Sequence, residues 1–539
     1  MTTTADEPAR PGAPAESGRD RSDVTRRPST NSRCSAAGLI FLTGLAVFFV
    51  YLSHRPLWHT DLWGHLAYGR RIVELRAIPA TEPLMPLCHG VPFVDFSWLS
   101  ELIGYAAERA AGPEALQFLY AASVTACVGL LAWCTWRKTG RLWAAALAAT
   151  IYIWVDWQQL AIMRPQLAGC VCFLVLWAFR RKLLVSRWQF VAVPVLFAAW
   201  ANLHGSFLIG LALLAALLCG RAVDLVRRTG SLRAVLDDRE LRLTAVALVL
   251  ALAAVLVNPY GWRIYPAAWQ LSTNANLADL IEWQPLALWM GQAWAALAVA
   301  VALLGLWVLT PRRISTTELL LVLGLGAATL ATSRMILWWG PIAAYYTSVH
   351  AAALARRWRR AELAGPLSAN PSLGRPIAAR LSSRTIPPGV IVAVVLIAFA
   401  LTPLVDASLL HVTHPNSRSL LSAETPIEAT EYLQAYPPHG QVFNSMEWGD
   451  YLLWAGPPGL EVYAASHVHL LPRTVWQDYI RVVTLDDGWQ KILDRYQVNT
   501  AIIDGDQHSA LAEALRADPD WHVVYEDTVA AILSRRRPL

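Results

Sequence analysis

Apolar residues in this chain gather into long blocks divided by short polar stretches. The longer blocks run to about twenty residues, the length of helix that crosses the hydrocarbon core of a bilayer. They predict about eleven spans, at 37–53, 114–136, 142–154, 166–179, 188–201, 206–226, 241–257, 291–309, 317–332, 336–354 and 387–405. Between the first two spans, residues 54–112 are polar and aromatic and carry two interfacial helices, at 61–76 and 96–111. Residues 1–35 are rich in Pro, Ser, Thr, Arg and Asp and cannot bury enough surface to fold, so they read as a disordered N-terminus. No small-x-small cleavage site follows the first block, which reads as a retained signal anchor. From 420 to 539 the pattern changes. Strand-like runs at 441–445, 460–464, 500–504, 521–525 and 529–534 alternate with helical runs at 447–455, 474–483, 489–496 and 509–518. This predicts a compact α/β domain with a small, partly parallel sheet, although no glycine-rich phosphate loop opens its helices. The expected fold class is an α-helical polytopic membrane bundle over 36–410 with a C-terminal α/β domain.

Composition agrees. Charged residues make up 16% of the 539 and hydrophobic ones 55%, whereas a soluble chain carries about 25% charged residues. Trp residues gather near block ends, where amphipathic rings sit at headgroup level. The net charge of +6 does not indicate nucleic acid, because the basic residues lie between apolar blocks and not on one face. Of seven cysteines, five sit inside apolar blocks and the tail has none, so no disulfide framework follows. Cys170 and Cys172, mid-span, read as packing. Arg and Lys crowd alternate loops, around Arg137, Arg180, Arg227, Arg312 and Arg356, while the opposite short loops hold only Arg164, Arg263 and Arg334. The basic set faces the cytoplasm, which puts 54–112 and the tail outside.

The polar clusters at span ends then fall on the outer side: Asp61 and His65, Asp95 and Glu101, Asp156 and Arg164, Asn202 and His204, Asn258 to Tyr260, Glu282 and Trp283, Ser333 and Arg334. A charge near bilayer depth costs on the order of 2.5–3.5 kcal/mol or more, so these groups should line a cavity capped by the first loop and the tail. Asp61 and His65 share a helix face and could supply a general base or join on a divalent cation. The competing reading makes Thr60 or Asp61 an N-cap. Arg164 and Arg334 offer donor forks suited to phosphate, against simple snorkelling to the interface. Asp156 shares a turn with Arg164. His204 reads equally as part of a polar turn or as a substrate contact, and Asn258-Pro-Tyr260 reads first as a helix stop. Glu282 and Trp283 could hold a sugar, or the ring could be an interfacial anchor. In the tail, Asn444 to Asp450 sits at a strand-to-helix junction of the kind that binds ligands; N-capping with Trp448 packed on the membrane domain is the simpler reading. His467 and His469 alternate on a strand-like face without further evident ligands, which argues against metal there.

The segments Asp61-Leu-Trp-Gly-His-Leu66, Phe96-Ser-Trp-Leu-Ser-Glu101, Arg164-Pro-Gln166, Asn202-Leu-His-Gly205, Asn258-Pro-Tyr-Gly261 and Met446-Glu-Trp-Gly-Asp-Tyr451 resemble those of the GT-C class of multi-span glycosyltransferases, and more closely its uncharacterised bacterial members, over residues 37–535. The resemblance implies transfer of a hexosyl or pentosyl group, with inversion, from a polyprenyl-phosphate carrier. It places that reaction on the outer face of a bacterial plasma membrane, with a glycan, lipid or protein as acceptor. By position Asp61 would be the base, with His65 beside it. Asp156, Arg164, His204, Glu282, Trp283 and Arg334 are the expected substrate contacts, and Arg164 or Arg334 would receive the departing phosphate. The Asp-Glu or Asp-x-Asp pair frequent in that loop is absent, and His65 stands in place of a second acid. A divalent cation is the only cofactor in view, with its ligands unassigned. Two other classes stay open. A transporter or flippase would need inner-facing polar groups and a repeat, neither of which is apparent. A non-catalytic assembly component would keep the same helices and use its tail to bind a partner.

Overall fold

The computed structural model describes residues 34–363, 385–405 and 417–538, together with Thr2. The predicted disordered segment at 1–35 lies outside the described residues except for Thr2, Cys34 and Ser35, and so does the basic stretch at 364–384. In chain order the helices of the first part are α1 (Ala36–Ser53), α2 (Leu62–Leu75), α3 (Trp98–Thr139), α4 (Leu142–Leu160), α5 (Gln166–Val185), α6 (Gln189–Leu203), α7 (Phe207–Thr229), α8 (Arg233–Asp237), α9 (Arg239–Val255), α10 (Ile264–Ser272), α11 (Gly291–Leu309), α12 (Thr316–Ala331), α13 (Ile336–Leu363) and α14 (Pro388–Ala400). A helix therefore stands at every predicted span, and α2 and the start of α3 stand at the predicted interfacial helices. By length and composition α1, α3, α7 and α11 are able to cross a membrane on their own; α6, α12 and α14 are apolar but shorter. The others carry charge near an end, such as Asp156 in α4 and Arg356 in α13, or polar first turns, as Arg239-Glu-Leu-Arg242 in α9.

Helix α3 is two pieces joined at Ala111 and Gly112, which leave helical geometry just before Pro113. The amphipathic first piece carries Glu101, and the apolar second piece is the span. Helix α4 packs on α3 and α13. Ala144, Ala145 and Ala148 on α4 and Ala343 and Ala344 on α13 are fully buried, the small residues that let helices approach in a bilayer.

The tail holds α15 (Ile427–Ala435), α16 (Met446–Ala455), α17 (Arg473–Val483), α18 (Trp489–Arg495) and α19 (Ser509–Ala517). Its strands are β3 (Gln441–Asn444), β4 (Glu461–Val462), β5 (Thr500–Asp504), β6 (Trp521–Glu526) and β7 (Ala530–Arg535), in the order β4-β3-β5-β7-β6. Strands β4, β3 and β5 run parallel, and β7 and β6 add antiparallel. A separate two-residue pair, β1 (Cys34–Ser35) with β2 (Thr385–Ile386), lies at the start of α1. The tail is docked on the first loop. Leu57 donates to the Leu420 carbonyl and accepts from Ser422, each at 2.8 Å. Arg70 of α2 donates to the carbonyls of Leu453 and Trp454 at 2.8 and 3.0 Å, which satisfies the last turn of α16. Asn276 donates to the carbonyls of Val468 and Leu471, both at 2.8 Å.

Candidate functional site at the domain junction

A cavity of about 330 Å³ lies between one end of the helix bundle and the tail. Seven of the eight predicted site residues line it: Asp61, His65, Arg164, His204, Glu282, Trp283 and Arg334. They come from the start of α2, the turns after α4 and α6, the segment between α10 and α11, and the turn before α13. The tail contributes His467 and His469.

Asp61 occupies the N-cap position of α2 with φ +43° and ψ −53°, and its side chain makes no capping bond. It turns to Arg164, whose Nε pairs with Asp61 Oδ2. The same guanidinium places Nη1 2.8 Å from Glu282 Oε2. Glu282 also receives Arg334 Nη1 at 3.0 Å, and Arg334 Nη2 donates to Gln166 at 3.3 Å. Two carboxylates and two guanidiniums thus form one chain of charge. Burial works against the Glu282 anion, but Arg334 and Arg164 more than offset it and hold the carboxyl at about 2. Arg334 lies over the Trp283 ring, 5.1 Å from its centroid, so that ring supports a cation as well as facing the cavity. His204 accepts the Ser206 N–H at 3.0 Å through Nδ1.

Asp61 and His65 line the same cavity, and the ring contacts of His65 are to other residues. His65 Nδ1 lies 2.8 Å from Glu101 Oε1, on α3, and its ring meets that of His467 at 5.3 Å between centroids. His65, Glu101 and His467 bring one ligand atom each to within 4.8 Å of one another. Burial lowers the tendency of both imidazoles to take a proton. Glu101 is 1% exposed and shares a side-chain hydrogen bond with the buried Asp95; burial pushes its carboxyl up to about 8. Two imidazoles and a carboxyl group are a donor set of the kind a divalent transition ion such as zinc takes. His467 and His469 sit at a 3-10 turn, not on a strand. The further ligands that the sequence reading lacked for His467 come from α2 and α3, remote in the chain.

Asp156 is the residue the structure places elsewhere. Helix α4 runs through Leu160, past the predicted end at 154. Asp156 therefore faces the bundle interior, fully buried, where it packs so closely on Gly340 that a Cβ there would lie 1.8 Å from its Oδ2. Asn258 forms a local turn, accepting from Tyr260 N at 2.7 Å, as a helix stop does. The Tyr260 hydroxyl in turn accepts the Asp95 N–H at 2.9 Å.

No protein-family model matches the sequence, and no curated protein does. Solved structures do. ArnT from Cupriavidus metallidurans, in the apo state, is similar over 92% of this chain and 97% of its own length, with TM-score 0.50 and 16% identity. The oligosaccharyltransferase of Archaeoglobus fulgidus, tethered with an acceptor peptide containing the NVT sequon, is similar over 93% of this chain and 74% of its own, at TM-score 0.49 and 12% identity. At such identity the likeness to ArnT shows the fold alone.

Proposed function

We propose that this chain is a membrane glycosyltransferase that moves a sugar from a polyprenyl-phosphate donor to an acceptor hydroxyl. We place the reaction at the outer face of a bacterial plasma membrane, with the N-terminus in the cytoplasm and the 420–539 domain outside. The observation that carries the reading is the Asp61–Arg164–Glu282–Arg334 chain around a cavity roomy enough for a sugar. It sets a candidate base beside candidate phosphate donors. In the reaction the acceptor oxygen bonds to the anomeric carbon as that carbon's bond to the phosphate oxygen breaks. The hydroxyl proton passes to Asp61. Arg164 engages Oδ2, which leaves Oδ1 for that proton. The electron pair departs with the lipid phosphate, whose growing charge is met by Arg164 and Arg334. His204 and Trp283 would contact the sugar. A cation held by His65, Glu101 and His467 would polarise a bound oxygen; no step above passes through it.

The test is release of lipid phosphate from polyprenyl-phosphate sugars by the purified protein in nanodiscs. Asp61→Asn should lower turnover by about 10²-fold or more, the scale of a lost general base, while the protein still folds. Full turnover by that variant would remove Asp61 from the chemistry. A wild-type protein that releases no lipid phosphate but carries labelled lipid-linked sugar across liposomes would instead be a transporter.

A further inference from the structure

We infer that Asp450, a residue of the tail domain, is the positioning residue for Asp61. Its carboxyl group accepts the Asp61 N–H and holds that residue in the left-handed backbone region that aims its side chain at Arg164. The inference rests on the reading of Asp61 as the base.

An L residue seldom enters the region Asp61 occupies, and such a conformation persists only where neighbours enforce it. Locally the Leu62 N–H closes a turn onto the Thr60 carbonyl; the long-range contact crosses the domain junction. Asp61 N donates to Asp450 Oδ2 at 3.1 Å. The Ser466 hydroxyl donates to Asp450 Oδ1 at 3.1 Å, so both carboxyl oxygens are engaged and the group cannot swing away. Asp450 is fully buried and occupies space that only a glycine leaves on α2. A Cβ on Gly64 would lie 2.1 Å from Asp450 Oδ1.

Helix α16 is registered to make this reach. Trp448 is fully buried and donates through Nε1 to the Glu424 carbonyl at 3.2 Å. At Gly449 a Cβ would meet the Ala464 carbonyl at 2.0 Å. Arg70 holds the other end of the helix. The tail segment Trp448-Gly-Asp450 and the loop segment Asp61-Leu-Trp-Gly64 are therefore two halves of one device. With the tail undocked, Asp61 would lose the contact that keeps it from capping α2, and the site would be incomplete.

The test compares wild type with Asp450→Asn, whose carboxamide oxygen still accepts, and Asp450→Leu, which fills the volume but accepts nothing. Two readouts are taken in nanodiscs: hydrogen exchange of the peptide spanning 58–66, and kcat and KM with a polyprenyl-phosphate sugar. Asp450→Leu should speed exchange at Asp61 about tenfold and lower kcat by about tenfold with KM within about twofold, while Asp450→Asn stays within about threefold of wild type in both. Should Asp450→Leu not fold, Gly64→Ala, which displaces the acid without removing it, takes its place with the same expected changes. Unaltered exchange at Asp61 in Asp450→Leu, or equal impairment of the Asn and Leu variants, would overturn the proposal. If the wild type releases no lipid phosphate from any donor, the transferase reading fails, and exchange at Asp61 still decides the positioning role.

Discussion

Glu282 serves two guanidiniums at once, and its removal would leave both short of a partner in a partly desolvated place. Glu282→Gln should cost about 1–3 kcal/mol. The pH dependence follows from its carboxyl being held at about 2 in the folded chain, against an ordinary value near 4.3. A depressed carboxyl stabilises the fold in full above the ordinary value, and the contribution drains away as pH falls towards the folded value. The gap in melting temperature between wild type and Glu282→Gln should therefore be equal at pH 8 and pH 6 and shrink only below about pH 4. A gap that changed between pH 8 and pH 6 would mean that another group governs the cluster. The histidines give a second test. His467→Ala should abolish bound transition metal, measured by elemental analysis of the purified protein, while His469→Ala keeps it, because only His467 meets His65 and Glu101. Metal content unaffected by His467→Ala would leave these three as a polar contact between domains. The charges at span ends were readable from sequence, because a charge at bilayer depth demands a reason. The site's wiring was not. Asp156 left the cavity because α4 continues past its predicted end, which puts Asp156 inside the helix on the buried face of Ala148 and Tyr152 and not in the turn with Arg164. His467 gained its partners from α2 and α3, which no local spacing reveals, and the positive φ of Asp61 is imposed by a residue in the other domain.

Helix α3 changes character at one joint, and that joint aims the site. Gly112 has φ +67° and ψ −165°, a region close to glycine-only, where another residue costs on the order of 1–3 kcal/mol. Gly112→Ala should lower the melting temperature, and it should also loosen the first piece of α3, whose Glu101 holds His65. Exchange in the peptide covering 98–110 should rise more than exchange in 113–139, and equal change in both would count against the joint. The contact of α4 with α13 makes a sharper comparison. Gly340→Ala drives a Cβ onto Asp156, whereas Gly324 on α12 has nothing within 4 Å of the same position. The first substitution should destabilise strongly, and the second should be neutral or gain about 0.5–1 kcal/mol from better helix propensity. The split in α3 was visible in Gly112-Pro113, a recognised breaker, and the tail strands in their apolar runs. The pair β1–β2 and helix α15 were not, since two residues carry no periodicity and α15 is a short helix with a weak apolar stripe. The spans themselves were legible as helices, but whether a 16-residue helix such as α12 crosses a bilayer depends on tilt and neighbours that its own residues do not state.

At the scale of the whole molecule the two ends of the helix bundle differ in chemistry, and the proposed orientation rests on this difference. One end holds the cavity, where acids and bases are matched. The other gathers the basic loops into contacts of their own: Arg356 donates to the Thr139 carbonyl at 3.2 Å, Arg221 pairs with Asp238 at 2.7 Å, and Arg312 reaches Glu318 at 3.5 Å. Glu318 also lies 2.5 Å from His350, both fully buried. Many arginines remain beyond these pairs, among them the exposed Arg227, Arg228, Arg359 and Arg360, and uncompensated Arg in short loops is retained on the cytoplasmic side. Because α16 of the tail packs on α2 at the cavity end, the proposed topology puts the tail across the membrane from those arginines. A cysteine at exposed His439, in a background with the native cysteines replaced, should react with a membrane-impermeant maleimide in intact cells. One at exposed Arg228 should react only after permeabilisation. The reverse pattern would put the cavity in the cytosol, where a donor presented on the outer leaflet could not reach Asp61, and the transferase would then have to use a donor on the inner face.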